Sequence, residues 1–276
     1  MDVRRRSLIG HRSMSSADMI DINAYVTFIA LEDGLTISLS SNACEYCIDG
    51  DGKWTSLSAG TATPSIDTGQ IISFRANITP NSTNGVGTFS LSKRCNVTGN
   101  AMALLFGDAG SNNFSLSGKS YAFYRLFRNA TNLIEVSDNF LPAQTLATYC
   151  YRYMFQGCTG LTKAPALPAT QLQQYCYQYM FTGCTALTTA PTLPAITLER
   201  YCYQYMFQSC SKLNYIKAMF TTDPGNNNSS SQARYSYNWV SGVASSGTFV
   251  KNTSASWSRT GAHAVPSGWT VQTASS

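Results

Sequence analysis

A regular pattern of apolar and polar positions recurs three times in the second half of the chain, with a period of 26 residues. The three units begin at Leu141, Leu167 and Leu193 and superimpose without gaps, and a partial copy begins at Tyr124. Repeats of this length are typical of stacked architectures, because one unit alone cannot bury its apolar face. The pattern therefore predicts a short solenoid over residues 120–220.

Each unit divides into two segments with different periodicity. Four apolar residues of the first unit lie four positions apart: Leu146, Cys150, Met154 and Cys158. This spacing predicts one face of a helical arm. Leu161 and Ala164 then fit a short strand, which Pro165 prevents from extending. One unit is therefore expected to be a helical arm followed by a short strand.

The flanking regions show the two-residue alternation of half-buried strands. Leu35, Ile37 and Leu39 alternate with polar residues, and further strands are predicted within 71–78 and 88–91. Several short strands at this spacing indicate a sandwich-like domain that caps the solenoid. Beyond the repeats, 248–250 and 269–271 predict strands of a C-terminal cap, with Trp239, Trp257 and Trp269 as its anchors.

These patterns together predict a mainly β protein with short helical arms. It divides into a basic N-terminal tail (1–22), a β-sandwich-like domain (23–119), a solenoid of 26-residue units (120–220) and a small C-terminal β cap (221–276).

The repeat pattern CYxYMFxGCTxLTxAPxLPA resembles the leucine-rich repeats of BspA type, which occur in bacterial surface proteins and in phages. Cys150, Met154, Phe155, Cys158 and Leu161 fill the recurring positions, as do their equivalents in the next two units. The resemblance covers about residues 121–220. It implies an adhesion or interaction module without catalytic residues.

Composition narrows the classes of partner. Charged residues make up only 12% of the chain, and four arginines of the +5 net charge lie in its first twelve residues. No broad basic surface of the kind that binds nucleic acid is therefore expected. No apolar run approaches the twenty residues of a membrane span.

Nine cysteines form a poor disulfide framework because their number is odd. Neighbouring helical arms would lie about 8–10 Å apart, too far for disulfides, so we expect reduced thiols that pack as small apolar groups. Cys44 and Cys47 lack the further ligands of a zinc site, and Asp49-Gly50-Asp51-Gly52 lacks the later ligands of a calcium loop. Neither a metal nor a cofactor is expected.

Catalytic motifs are not found. The chain has only two histidines, His11 and His263, and it carries no nucleophile elbow, phosphate-binding loop or metalloprotease motif. We therefore expect a non-enzymatic protein. A glycan-processing enzyme with its site in the β domains is the alternative from another functional class.

Two surfaces compete as the binding site. Lys163, Thr189 and Tyr215 occupy equivalent strand positions that differ between units, whereas Tyr149, Tyr175 and Tyr201 form a column that does not vary. Variation is typical of a recognition surface and uniformity of packing, so we favour the strand positions, with a host glycan or protein as ligand. On a helical wheel Tyr149 is the most exposed position of the arm, with Tyr151 and Tyr153 at the margins of the core.

The N-terminal segment predicts an assembly role. Its basic and apolar residues are expected to dock on other virion or surface proteins, or on a second copy of the chain: Arg4, Arg5, Arg6, Leu8 and Ile9. The apolar stretch of a secretory signal does not follow the arginines. We therefore expect a virion-surface location, as a phage fibre or decoration protein. The alternative is a bacterial cell-surface adhesin whose signal was removed.

Overall fold

The structure is a computed structural model that describes residues 19–224 and 234–274. It is mainly β, with one short helix, Ala103–Phe106 (α1). The strands are Val26–Ala30 (β1), Ile37–Leu39 (β2), Cys44–Ile48 (β3), Thr55–Leu57 (β4), Ile71–Arg75 (β5), Phe89–Leu91 (β6), Cys95–Gly99 (β7), Leu133–Val136 (β8), Tyr215–Ala218 (β9), Thr248–Lys251 (β10) and Thr270–Thr273 (β11). Short 3-10 turns span Ile22–Ala24, Gly107–Asn112 and Asp138–Phe140. Within these ranges no helix is long and apolar enough to cross a membrane.

Two sheets face each other in the N-terminal part of the chain. The larger has the strand order β4-β3-β5-β1-β7-β8, antiparallel except for the β7–β8 pair, and β2 pairs with β6 in a second sheet. The ring of Phe89 on β6 packs 5.0 Å from Phe28 on β1 and 5.4 Å from Phe74 on β5. These aromatic contacts hold the two sheets together, as the alternating pattern of a sandwich-like domain predicts.

The large sheet continues into the repeats through β8, which belongs to the partial copy. The backbone N–H of Phe89 donates to the carbonyl oxygen of Leu126 at 2.8 Å, and that of Val86 donates to Ala122 at 3.2 Å. The ring of Phe89 also stacks on Phe127 at 5.6 Å. The first repeat thus buries its open end against the N-terminal sheets.

The prediction of helical arms is wrong: the arm, residues 146–158 and its equivalents 172–184 and 198–210, is a run of tight turns. Even-numbered residues donate backward within the unit, as from Arg152 N–H to the Tyr149 oxygen at 3.2 Å. Odd-numbered residues donate to the next unit, as from Tyr151 N–H to the Cys176 oxygen at 3.0 Å. An α-helix would use almost all of these N–H groups internally and leave none to join the units.

Each arm turns at residues with left-handed backbone conformation. In the first unit these are Tyr149, Tyr153 and Gly157, with φ angles of 61°, 59° and 75°. They lie four positions apart, so the four-residue spacing of the apolar side chains reflects a four-residue turn. Glycine adopts this conformation without strain, whereas tyrosine adopts it at a cost.

Strands form on the opposite side of the units only where proline is absent. Pro165 and Pro191 interrupt units one and two, whereas the third unit carries Lys217 at that position and forms β9. Proline has no N–H to donate to a ladder. The strands β9, β10 and β11 pair in parallel, with Tyr215 opposite Thr248 and Thr248 opposite Thr270, so the predicted C-terminal strands extend the stack.

Aromatic rings and thiols fill the interior. The rings of Phe127, Phe155, Phe181 and Phe207 stack at 5.4–5.6 Å. All nine cysteines are free and buried. The argument from an 8–10 Å spacing is wrong, because stacked turns lie closer than packed helices. The Cys184 thiol instead donates to the carbonyl oxygen of Phe155 in the preceding unit at 3.1 Å.

Candidate binding surfaces

The strand side of the units, residues 160–165 and their equivalents 186–191 and 212–217, is one candidate surface. Lys163, Thr189 and Tyr215 are all exposed there. A parallel bridge pairs Thr189 with Tyr215, and another pairs Lys163 with Glu135 of the partial copy. Thr189 and Tyr215 therefore lie side by side in units two and three, and Lys163 lies beside Glu135 of the partial copy.

The stack opens on this side between units one and two. Five arm N–H groups of unit one donate to unit two: those of Tyr149, Tyr151, Tyr153, Phe155 and Gly157. Between residues 160–168 and 186–194, all of which the structure describes, no backbone hydrogen bond is formed. A cleft of about 410 Å³ occupies this gap. It is lined by Asp138, Ala164, Pro165, Ala166, Leu167, Pro168, Pro191, Thr192 and Pro194.

The cleft combines an apolar lining with a charged rim. Prolines at two equivalent positions of units one and two form much of its wall. At the rim, the ammonium nitrogen of Lys163 lies 3.4 Å from a carboxylate oxygen of Asp138, and both side chains are more than half exposed. The volume falls within the range of about 300–1,000 Å³ that is usual for small-ligand pockets. An apolar group can enter the cleft while the rim pair binds its polar substituents.

The invariant tyrosines form the second candidate surface, as two columns along the arms. Tyr149, Tyr175 and Tyr201 stack with ring centroids 4.5 and 4.7 Å apart. Tyr153, Tyr179 and Tyr205 form a parallel column at 4.8 and 4.5 Å. Residues of both columns are half-buried.

The helical wheel misjudged this surface, because the arm is not a helix. Tyr151 is only 1% exposed, and its equivalents Tyr177 and Tyr203 are also buried. Tyr149 and Tyr153 are both partly exposed, so the Tyr153 column shares this surface with the Tyr149 column. The left-handed turns direct two residues of each arm, four positions apart, to the same surface.

Stacking determines what the two columns can offer a ligand. Since neighbouring rings cover each other's faces, only ring edges and hydroxyl groups remain accessible. Burial, and after it the neighbouring phenols Tyr153 and Tyr205, raises the pKa of Tyr179 to about 12. Burial likewise raises the pKa of Tyr175. Tyr175 and Tyr179 therefore present neutral phenols that can donate hydrogen bonds at physiological pH.

Arginines lie over the tyrosine rings, which the sequence reasoning missed. The guanidinium carbon of Arg152 lies 5.4 Å from the Tyr149 ring centroid and 4.6 Å from that of Tyr153. Its Nη2 donates to the Tyr153 hydroxyl at 3.1 Å. Arg200 lies 4.9 Å from the Tyr201 centroid. The signal for these contacts was present in the sequence as arginines that interrupt otherwise uniform arms.

The other predicted residues give no further site. The assembly residues Arg4, Arg5, Arg6, Leu8 and Ile9 lie outside the described residues. The Cys47 thiol donates to Asp51 at 3.4 Å, and no group of three or more metal-ligating side chains occurs in the described ranges. The Nδ1 atom of His263 accepts the backbone N–H of Asn238 at 2.8 Å, so this nitrogen is already occupied.

The two candidate surfaces lie on the same units and differ in how the units vary. The strand side carries different side chains at equivalent positions around an open cleft, whereas the arms carry the same tyrosines in closed columns. No family model, curated protein or solved structure matches this chain.

Proposed function

We propose that this chain is a non-enzymatic binding protein, a short solenoid similar to BspA-type leucine-rich repeats, whose strand side binds a host-surface glycan or protein. The observation that carries the proposal is the contrast between the two sides of the units. Equivalent positions align in both, but Lys163, Thr189 and Tyr215 differ from unit to unit, whereas the tyrosine columns do not. A surface that packs identically in each unit has no reason to vary in this way.

The cleft between units one and two supports the same assignment. It lies beside Lys163 and opens where the backbone ladder of the strand side is interrupted. Ligand sites are usually concave and mostly apolar, with a few polar groups that fix orientation. The proline walls and the Lys163–Asp138 pair supply these two elements, which suit a sugar ring or an aromatic side chain.

The location of the protein remains a prediction from the repeat resemblance and the basic N-terminal segment. We propose the surface of a phage virion, with the bacterial cell surface as the alternative. Immunogold electron microscopy with an antibody to this chain separates the two. Label on fibres or capsids of particles supports the first location, and label confined to the cell envelope contradicts it.

Two triple variants test which side binds. One carries Lys163→Ala, Thr189→Ala and Tyr215→Ala, and the other carries Ser at Tyr149, Tyr175 and Tyr201. Each is assayed against host cells and an array of neutral glycans beside the unmodified protein. The proposal predicts that the strand-side variant loses binding and keeps its melting temperature, because the three replaced side chains are exposed.

A matched control carries Lys93→Ala and Thr61→Ala, two exposed residues of the N-terminal domain. It should bind like the unmodified protein. Retained binding by the strand-side variant would contradict the proposal. Loss in the tyrosine variant alone, with both variants folded, would transfer the site to the arms.

A further inference from the structure

The arms carry an unbalanced charge. Residues 120–130, 146–158, 172–184 and 198–210 contain four arginines and one acidic residue, Glu199: Arg125, Arg128, Arg152 and Arg200. Among the described residues, no carboxylate lies within ion-pair distance of any of the four guanidinium groups. The arm surface is therefore a cationic strip without carboxylate partners among the described residues.

Three of these arginines stand where other units carry glutamine. Arg128 corresponds to Gln156, Arg152 to Gln178, and Arg200 to Gln174. Glutamine suffices for the fold at these positions, since the stack forms the same turns and inter-unit hydrogen bonds around it. The positive charge is thus an addition to the surface that stacking does not require.

The arginines and the phenols form one continuous surface. Arg152 spans both tyrosine columns, and Arg128 lies 5.8 Å from the Tyr153 ring centroid. Arg125 stands at the end of the second column, 5.7 Å from the same ring. Guanidinium groups and neutral phenols are both hydrogen-bond donors, and the two together match carboxylate or sulfate oxygens.

The backbone indicates that the tyrosines are retained for their side chains. Each arm has three left-handed positions. The third holds Asn129, Gly157 and Gly183 in the partial copy and the first two units, which adopt this conformation cheaply, and Ser209 in the third unit. The first two hold tyrosine in every full unit, although a left-handed residue with a Cβ costs about 1–2 kcal/mol. Ring stacking offsets part of this cost and leaves a row of hydroxyl groups at the surface.

We propose that the tyrosine–arginine surface binds a linear acidic polysaccharide, with carboxylate or sulfate groups on the arginines and phenols. Single-stranded nucleic acid is the less suitable polyanion, because its bases stack on free aromatic faces and the faces here are already paired. This surface is distinct from the strand side, so the inference does not depend on the proposed function.

The test is a variant that gives each arginine the residue found in another unit: Arg128→Gln, Arg152→Gln and Arg200→Gln. Binding to heparin and to polygalacturonate is measured by calorimetry, with neutral dextran and single-stranded DNA as further probes. The proposal predicts that the unmodified protein binds both acidic polysaccharides and not dextran. The variant should lose affinity about ten-fold or more and depend less on salt, because charge-assisted hydrogen bonds are removed.

A charge-matched control carries Lys53→Gln, Lys93→Gln and Arg94→Gln in the N-terminal domain, and the strand-side triple variant serves as a second control. Both should bind the acidic polysaccharides normally. An equal loss of affinity in the charge-matched control would show that only the net charge of the protein matters, and it would overturn the proposal. No binding by the unmodified protein, or preference for single-stranded DNA, would also overturn it.

Discussion

The two sides of repeat units one and two solve the same stacking problem differently. On the arm side, every odd-numbered N–H of unit one between Tyr149 and Gly157 donates to unit two, and identical aromatic rings stack on one another. On the strand side, the same two units make no backbone hydrogen bond between 160–168 and 186–194, and a proline-lined cleft opens there.

On our proposal, this difference separates stability from recognition within one repeat. The hydrogen bonds between arms fix the spacing of the units, so the strand side need not contribute to that spacing. Its residues can therefore vary, and its backbone can open, without loss of the stack. The comparison also explains why uniform positions are packed while variable positions are exposed.

Alkali should produce the largest change, because it acts on the arm interior. Burial raises the pKa of Cys150 and Cys202 to about 12, from an ordinary value of 9.0. A raised thiol pKa means that the folded state binds more protons than the unfolded state above pH 9. The contribution of each thiol to the free energy of unfolding is therefore fully present below about pH 9. It falls as the pH rises toward 12, by about 1.4 kcal/mol per pH unit for each thiol.

Urea unfolding at pH 8 and pH 10 measures this effect, and a Cys150→Ala variant should show a shallower decline. Identical unfolding midpoints at the two pH values would show that the thiols are accessible, contrary to the structure.

Removing one ring of the Phe column should give the next largest effect. Phe181 is fully buried between Phe155 at 5.4 Å and Phe207 at 5.6 Å. Phe181→Ala should lower the free energy of unfolding by about 3–5 kcal/mol, because it leaves a cavity. Thr189→Ala, on the exposed strand side of the same unit, should change it by less than about 0.5 kcal/mol. Chemical denaturation of both variants measures the contrast, and similar losses would remove the distinction between the two sides.

A small gain in stability is expected at the third left-handed position of unit three. Ser209 has a φ angle of 61°, where units one and two carry glycine. Ser209→Gly should stabilise the protein by about 0.5–1 kcal/mol, because relief of backbone strain exceeds the added freedom of the unfolded chain. Ser211→Gly, at an exposed neighbouring residue outside the left-handed region, is the control and should not stabilise. Thermal melts compare the two, and a loss at Ser209 would count against strain in the arm.

The sequence predicted the repeat, its buried positions and the strands β2, β5, β6, β10 and β11, because the apolar period records which side chains face inward. It did not predict the backbone of the arm. A helix with 3.6 residues per turn drifts by about 40° for each four-residue step, so the strict spacing from Leu146 to Cys158 fits a helix poorly. Gly157 and Gly183 mark the third left-handed position of the arm. The first two positions hold tyrosine, and because tyrosine rarely adopts this conformation, the sequence did not indicate them.

The cleft and the arginine contacts could be found only from the structure. Pro165 and Pro191 predicted where strands would stop, yet not that two neighbouring units would part there. The replacement of glutamine by Arg152 is visible in the sequence. Its position across two tyrosine columns depends on turns that the pattern did not reveal.

Native-state hydrogen exchange, resolved by residue, tests the separation of the two sides most directly. The arm amides of Tyr151 and Phe155 donate to the next unit, whereas those of Thr188 and Thr189 have no acceptor among the described residues. The structure predicts that the arm amides exchange only through global unfolding, while the two strand-side amides exchange through local opening at low free energy. Equal protection on the two sides, or rapid exchange along the arm, would contradict the account.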